Sequence, residues 1–205
     1  DPENACGDCH EDIAASAKTS LHRTLAPFTT ILKRRTHPDK HEVVDMGIER
    51  HCSRCHTGCG GCHVSRPDAV GSGFINGHQF RARSDLLNQC VACHGSRIEK
   101  EYMGKNKGIP PDVHKKKYFK CSKCHTADEM HGDGNEYANR YEVKNAPKCL
   151  DCHDTIYAAD GENKEQHQQH KDRVSCQVCH AMPYKNCTSC HFGKDKQGLK
   201  YFKTQ

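Results

Sequence analysis

The chain has no tryptophan, few other aromatics (6%) and only four methionines. Nominally apolar residues make up 34% of its 205 positions, and cysteine accounts for a large part of that share. Mean hydropathy is −0.93, close to the composition of disordered chains. Side chains alone therefore cannot build a core of the usual size. No apolar run approaches the roughly 20 residues a membrane-spanning helix needs, so no membrane span is expected. Aromatics are not interleaved with basic residues, and Lys115-Lys116-Lys117 reads as a solvated run, so no nucleic-acid partner is expected. The first residue is Asp1 rather than Met, which fits removal of a targeting segment.

Thiols and imidazoles are abundant by contrast: 16 Cys and 17 His. The cysteines fall in pairs with two residues between them: Cys6/Cys9, Cys52/Cys55, Cys59/Cys62, Cys90/Cys93, Cys121/Cys124, Cys149/Cys152, Cys176/Cys179 and Cys187/Cys190. Each pair is followed at once by a histidine: His10, His56, His63, His94, His125, His153, His180 and His191. Disulfides account for an even cysteine count but not for the uniform spacing. Zinc ribbons use Cys-x-x-Cys, but do not require a histidine after every second cysteine. Cys-x-x-Cys-His is the attachment signature of c-type haem. Both thiols add to the haem vinyl groups, and the adjoining imidazole becomes the proximal iron ligand. Eight covalent haem c groups are expected, using every cysteine.

Nine histidines lie outside the motifs, enough to give every iron a second imidazole. His22, His37, His41, His78, His114, His131, His167 and His170 are the expected distal ligands, and His51, abutting Cys52, is the expected spare. His167 and His170 share a helical face; Pro38 starts a helix and leaves His37 just outside it. Met46, Met103, Met130 and Met182 read as packing residues. An iron with two protein ligands has no open site, so an electron carrier rather than an enzyme is expected, with no catalytic residues.

Short helices are expected over residues 11–25, before Cys52 and before Cys176, with turns at the Gly- and Pro-rich segments around 71–73, 108–111 and 132–134. The rest reads as loop, with little or no β-structure, in a single domain spanning residues 1–205 and organised around a chain of eight stacked haems. The segment 132–136 lacks a full EF-hand pattern and reads as a turn. Asn186-Cys187-Thr188 fits a glycosylation sequon, but its central cysteine belongs to a haem motif. The formal charge of +5 falls to about −3 once eight ferric haems with ionised propionates are counted. Many of the 31 Lys and Arg side chains are expected to pair with those propionates.

The motif set, with the block at residues 51–63 and the Cys-Gln-Val-Cys-His block at 176–180, resembles the octahaem members of the multihaem c-type cytochromes. At about 26 residues per haem, the chain is similar to the extracellular filament-forming (nanowire) cytochromes. That resemblance implies stacked bis-histidine haems, a head-to-tail homopolymer, and redox partner proteins or extracellular electron acceptors. It also implies an extracellular or cell-surface location, with periplasmic export as the alternative. A non-polymerising electron shuttle and an octahaem reductase with one open iron are the competing functions. The octahaem enzymes are typically about twice this length and often carry a modified motif, which is not found here.

Overall fold

The computed structural model describes residues 2–52, 58–65, 73–74, 86–183 and 193–201. The expected architecture is present: short helices joined by turns, and almost no strand. The helices are α1 (Pro2–Gly7), α2 (Glu11–Ala17), α3 (Leu21–Thr24), α4 (Ala26–Arg34), α5 (His41–Gly47), α6 (Cys59–His63) and α7 (Leu86–His94). They continue with α8 (Lys100–Met103), α9 (Val113–Lys116), α10 (Cys121–Cys124), α11 (Ala127–His131), α12 (Lys164–His170) and α13 (Gln177–His180). Among the described residues, strand is confined to an antiparallel pair, Gly193–Lys194 with Lys200–Tyr201, and an isolated bridge between Ser65 and Phe74.

Each of the six described motifs carries its own helical turn. The backbone N–H of the histidine donates to the carbonyl of the first cysteine in residues 6–10, 121–125, 149–153 and 176–180, at 2.9 Å every time. The second cysteine is drawn into the same turn: Cys9 N–H donates to the Cys6 carbonyl at 3.2 Å, and Cys179 N–H to the Cys176 carbonyl at 3.3 Å. Cys90 and Cys93 stand one turn apart inside α7. A helical turn sets residues i, i+3 and i+4 on one face. Both thiols and the imidazole of a motif therefore lie on the same side, as one macrocycle requires.

The helix expected over 11–25 is broken in two. Thr19 turns its hydroxyl to the Ser16 carbonyl, and Ser20 caps a new helix by accepting the Arg23 N–H. Side chains of this type compete with the helical backbone and favour caps. The other two expected helices are found: α5 runs through a π-turn (Ile48–Cys52) into Cys52, and α12 precedes Cys176. His37 caps the 3-10 turn Pro38–Lys40 from outside, as Pro38 implies.

Apolar burial is sparse. Among the described residues, Ala14 is the one buried apolar side chain, while Tyr118 and Tyr141 are 88% and 82% exposed. The chain exposes 15195 Å². A folded protein of its 23.1 kDa mass exposes roughly 9,700 Å². The excess accords with the sparse burial: little of the peptide surface is covered by other peptide.

Specific contacts still order the elements. α1 packs on α6, α6 on α7, α7 on α10 and α2 on α11. Gln89 ties α7 to the α6 turn by donating to the carbonyls of Gly61 and Ser65. Gly132, at φ +77°, ends α11 where a Cβ would lie 3.0 Å from the Ser16 carbonyl oxygen and 3.2 Å from Ser20. Glycine there permits both the left-handed backbone and the close approach.

Candidate haem-ligand pairs

Within the described residues, histidines meet in twos. His22 lies 6.3 Å from His94 between ring centres, His63 6.1 Å from His131, His114 6.3 Å from His153, and His167 6.0 Å from His180. Every one of these pairs joins a motif histidine to one outside the motifs. Two are near parallel, with 23° between the planes of His63 and His131 and 18° between those of His167 and His180. The other two are crossed, at 83° for His22/His94 and 72° for His114/His153.

A metal–imidazole bond is about 2.0 Å, and the ring centre lies about 1.1 Å beyond the nitrogen. Two imidazoles on opposite sides of an iron then have centres roughly 6.2 Å apart; two on a tetrahedral zinc have centres roughly 5.1 Å apart. All four pairs match the first value. Among the described residues, no cluster of three or more His, Cys, Asp or Glu side chains forms a candidate metal site.

The expected attachment cysteines differ in how far they reach into solvent. Cys9, Cys124, Cys149, Cys152 and Cys179 are exposed, whereas Cys6, Cys59, Cys62, Cys90, Cys93, Cys121 and Cys176 are half-buried. In the first and seventh motifs, the half-buried Cys6 and Cys176 are followed by an exposed second thiol, on Cys9 and Cys179. In α7 both thiols, Cys90 and Cys93, are half-buried. None of Cys9, Cys93 and Cys179 is gathered with other donor side chains into a metal-binding cluster. The structure thus places these three by backbone turn and exposure.

Hydrogen bonds fix which ring nitrogen is free. His125 Nδ1 lies 2.8 Å from Glu129 Oε2, and His114 Nδ1 lies 3.0 Å from Asp112 Oδ1. Nδ1 of His167 and of His170 faces a backbone carbonyl, of Glu162 and Gln166. These partners can only accept, so Nδ1 carries the proton and Nε2 keeps the lone pair a metal needs. In His41 and His51 the arrangement is reversed. His41 Nε2 faces the carbonyls of Lys33 and Thr36, and His51 Nε2 faces Asp195 Oδ2 at 3.2 Å. His37 Nδ1 faces the backbone N–H of Asp39.

Burial sets the protonation of the more enclosed pairs. It holds His22 and His94 below the ordinary imidazole value, neutral and ready to ligate. His63 is lowered by burial and then by its neighbours His131 and His10. His125 is raised, because the Glu129 carboxylate accepts its proton-bearing nitrogen.

Successive motifs abut. Burial, with Cys121 and Cys62 beside it, pushes the Cys90 thiol up to about 11. Burial also raises Cys124, which has Cys152 beside it, and Cys149, whose thiol is hydrogen-bonded with that of Cys176. With α1 against α6, the order is 6–10, 59–63, 90–94, 121–125, 149–153, 176–180. Among the described residues, these six motifs thus follow one another in space as they do in sequence.

Cys55, His56, His78, Cys187, Cys190 and His191 lie outside the described residues, as do the sequon and Gly71-Ser72; of Cys52 only the backbone is described. The sequence reading did not single out Glu129 or Asp112, although the four-residue step from His125 to Glu129 is an ordinary helical contact spacing.

Residues 128–181 match the model of one protein family, described as cytochrome c554 and c-prime. The chain fits a multihaem c-type cytochrome. The matched stretch contains two motifs, at 149–153 and 176–180, together with the whole His167/His180 pair. A cytochrome of this type implies covalently bound haem c and electron transfer. No curated protein and no solved structure matches the chain. Among the described residues, no helix is long and apolar enough to cross a membrane.

Proposed function

We propose that this chain is an exported octahaem c-type cytochrome that passes electrons along a row of bis-histidine haems and polymerises into an extracellular filament. The observation that carries the ligation is the set of four imidazole pairs at 6.0 to 6.3 Å, each joining a motif histidine to one from elsewhere. The cysteine pairs hold the macrocycles, and the motif histidines are the proximal ligands. His131, His22, His114 and His167 are the distal partners of His63, His94, His153 and His180.

Four motif histidines then remain, His10, His56, His125 and His191, and four expected distal ligands, His37, His41, His78 and His170. His170 already has Nε2 available, whereas His41 must give up its carbonyl contacts. His51 is the spare, its Nε2 being held by Asp195. When bound, haem supplies reversible one-electron exchange at iron. The chain's own residues fix each ring tautomer, keep His22 and His94 neutral and set neighbouring motifs side by side.

The filament reading rests on the low ratio of chain to haem and on the serial order of the six described motifs. It needs a head-to-tail interface that does not close on itself. The partners are then other copies of the chain, with redox proteins or extracellular acceptors at the ends.

Mass spectrometry and a haem assay on native protein test the ligation, with eight covalent haems expected; zinc in their place overturns it. Cryo-electron microscopy tests the polymer. Filaments with haems continuous across subunits are expected, and discrete monomers at high concentration reduce the function to a shuttle. A stoichiometric high-spin ferric signal in native material points instead to an open iron and an enzyme.

A further inference from the structure

The hydrogen bonds on the ring nitrogens divide the haem-facing histidines into two kinds. His167 and His170 give the Nδ1 proton to peptide oxygens, which carry no net charge. His125 and His114 give it to carboxylates, those of Glu129 at 2.8 Å and Asp112 at 3.0 Å. Both carboxylates are largely shielded from water, at 16% and 18% exposure, so their charge acts through a medium that screens it weakly. His37 and Asp39 look similar in sequence, but there the side chains are 74% and 81% exposed.

A shielded carboxylate on Nδ1 draws the proton away from the ring and makes Nε2 a stronger donor. A stronger donor, with a negative charge close behind it, stabilises ferric over ferrous iron and lowers the reduction potential. The two affected sites are adjacent. His125 belongs to the motif at 121–125, and His114 pairs with His153 of the motif at 149–153. Cys124 of the first motif lies beside Cys152 of the second.

We infer that Glu129 and Asp112 are positioning residues that lower the reduction potentials of two neighbouring haems, at motifs 121–125 and 149–153. This rests on the ligation proposed above. The exchange moves one electron from a ferrous iron to its ferric neighbour, with no bond made or broken; the carboxylates alter only its driving force. Both carboxylates make reduction of these two sites harder than it would be without them.

The test is a spectroelectrochemical titration of the purified haem-loaded protein, followed by electron paramagnetic resonance at stepped potentials. Glu129→Gln and Asp112→Asn each keep an oxygen that accepts the Nδ1–H and remove the charge. In Asp112→Asn the oxygen that caps α9 through the His114 N–H is also retained. Each variant is expected to shift one haem midpoint upward while all irons stay low-spin and the haem count is unchanged; the double variant shifts two. Titration curves that superpose on wild type, or shift downward, overturn the inference while leaving the ligation intact. The two variants act at separate sites, so loss of folding in one leaves the other decisive. Wild-type protein without covalent haem at these motifs overturns the ligation itself.

Discussion

The His22 ring stands edge-on to the His94 ring, with 83° between their planes and 6.3 Å between centres. His114 and His153 are crossed in the same way at 72°, whereas His63/His131 and His167/His180 lie near parallel. Ring orientation governs how the iron d-orbitals split. Crossed rings leave two of them nearly degenerate and give a strongly anisotropic low-spin ferric signal; parallel rings give an ordinary rhombic one. Electron paramagnetic resonance of the oxidised protein should therefore show both types. His22→Met and His114→Met should each remove intensity from the anisotropic class alone.

Removal of a distal imidazole should open one iron. His167→Ala is expected to turn about one-eighth of the iron high-spin, with the haem count unchanged. His51→Ala should leave every haem low-spin. The measurement is the ferric resonance spectrum, calibrated against total haem. A high-spin signal from His51→Ala, or none from His167→Ala, contradicts the assignment.

Withholding haem should leave the chain unfolded. The peptide exposes 15195 Å² and, among the described residues, buries a single apolar side chain, so it has little with which to offset the conformational entropy of folding. Protein made without haem attachment should give the circular dichroism of a largely unordered chain and be digested within the time that haem-loaded protein survives. A cooperative thermal transition in the haem-free chain would count against this.

Asp195 fastens the hairpin of residues 193–201 to the start of the second motif. Its carboxylate accepts from the backbone N–H groups of Gln197 and Leu199, faces His51 Nε2 at 3.2 Å and lies 3.7 Å from Arg50. Asp195→Ala should make this hairpin the first site of limited proteolysis, while the haem spectrum stays as in wild type. An altered haem spectrum would mean that the tie also positions a ligand.

The local chemistry was legible in the residues and the long-range geometry was not. A motif of five residues carries its own helical turn, so the spacing of Cys149, Cys152 and His153 already implied a shared face. The exposure of the thiols was not implied: Cys93 is half-buried within α7 while Cys9 and Cys179, at the same place in their motifs, face solvent. The break after Ala17 also had a local sign, because Thr19 and Ser20 are capping residues, but the run of helix-compatible positions concealed it. The ring pairs had none. His63 and His131, or His22 and His94, are brought together by tertiary contacts such as the close approach at Gly132, and counting histidines cannot reveal which will meet. Glu129 lay within reach of inspection, one helical turn beyond His125. Asp112 reads first as a helix cap, and its second role appears only when the His114 ring is seen beside it.

The turn built into each motif bears on the timing of assembly. Its thiols and imidazole are arranged by a hydrogen bond spanning four residues, so the arrangement draws on no contact from outside the motif. The imidazole pairs draw on segments far apart and close only when the chain collapses. On the ligation proposed above, covalent loading can proceed motif by motif, with the second ligand arriving later. A chain interrupted between these stages carries its full complement of colour on an open set of irons, and the change from high to low spin serves as its clock of maturation.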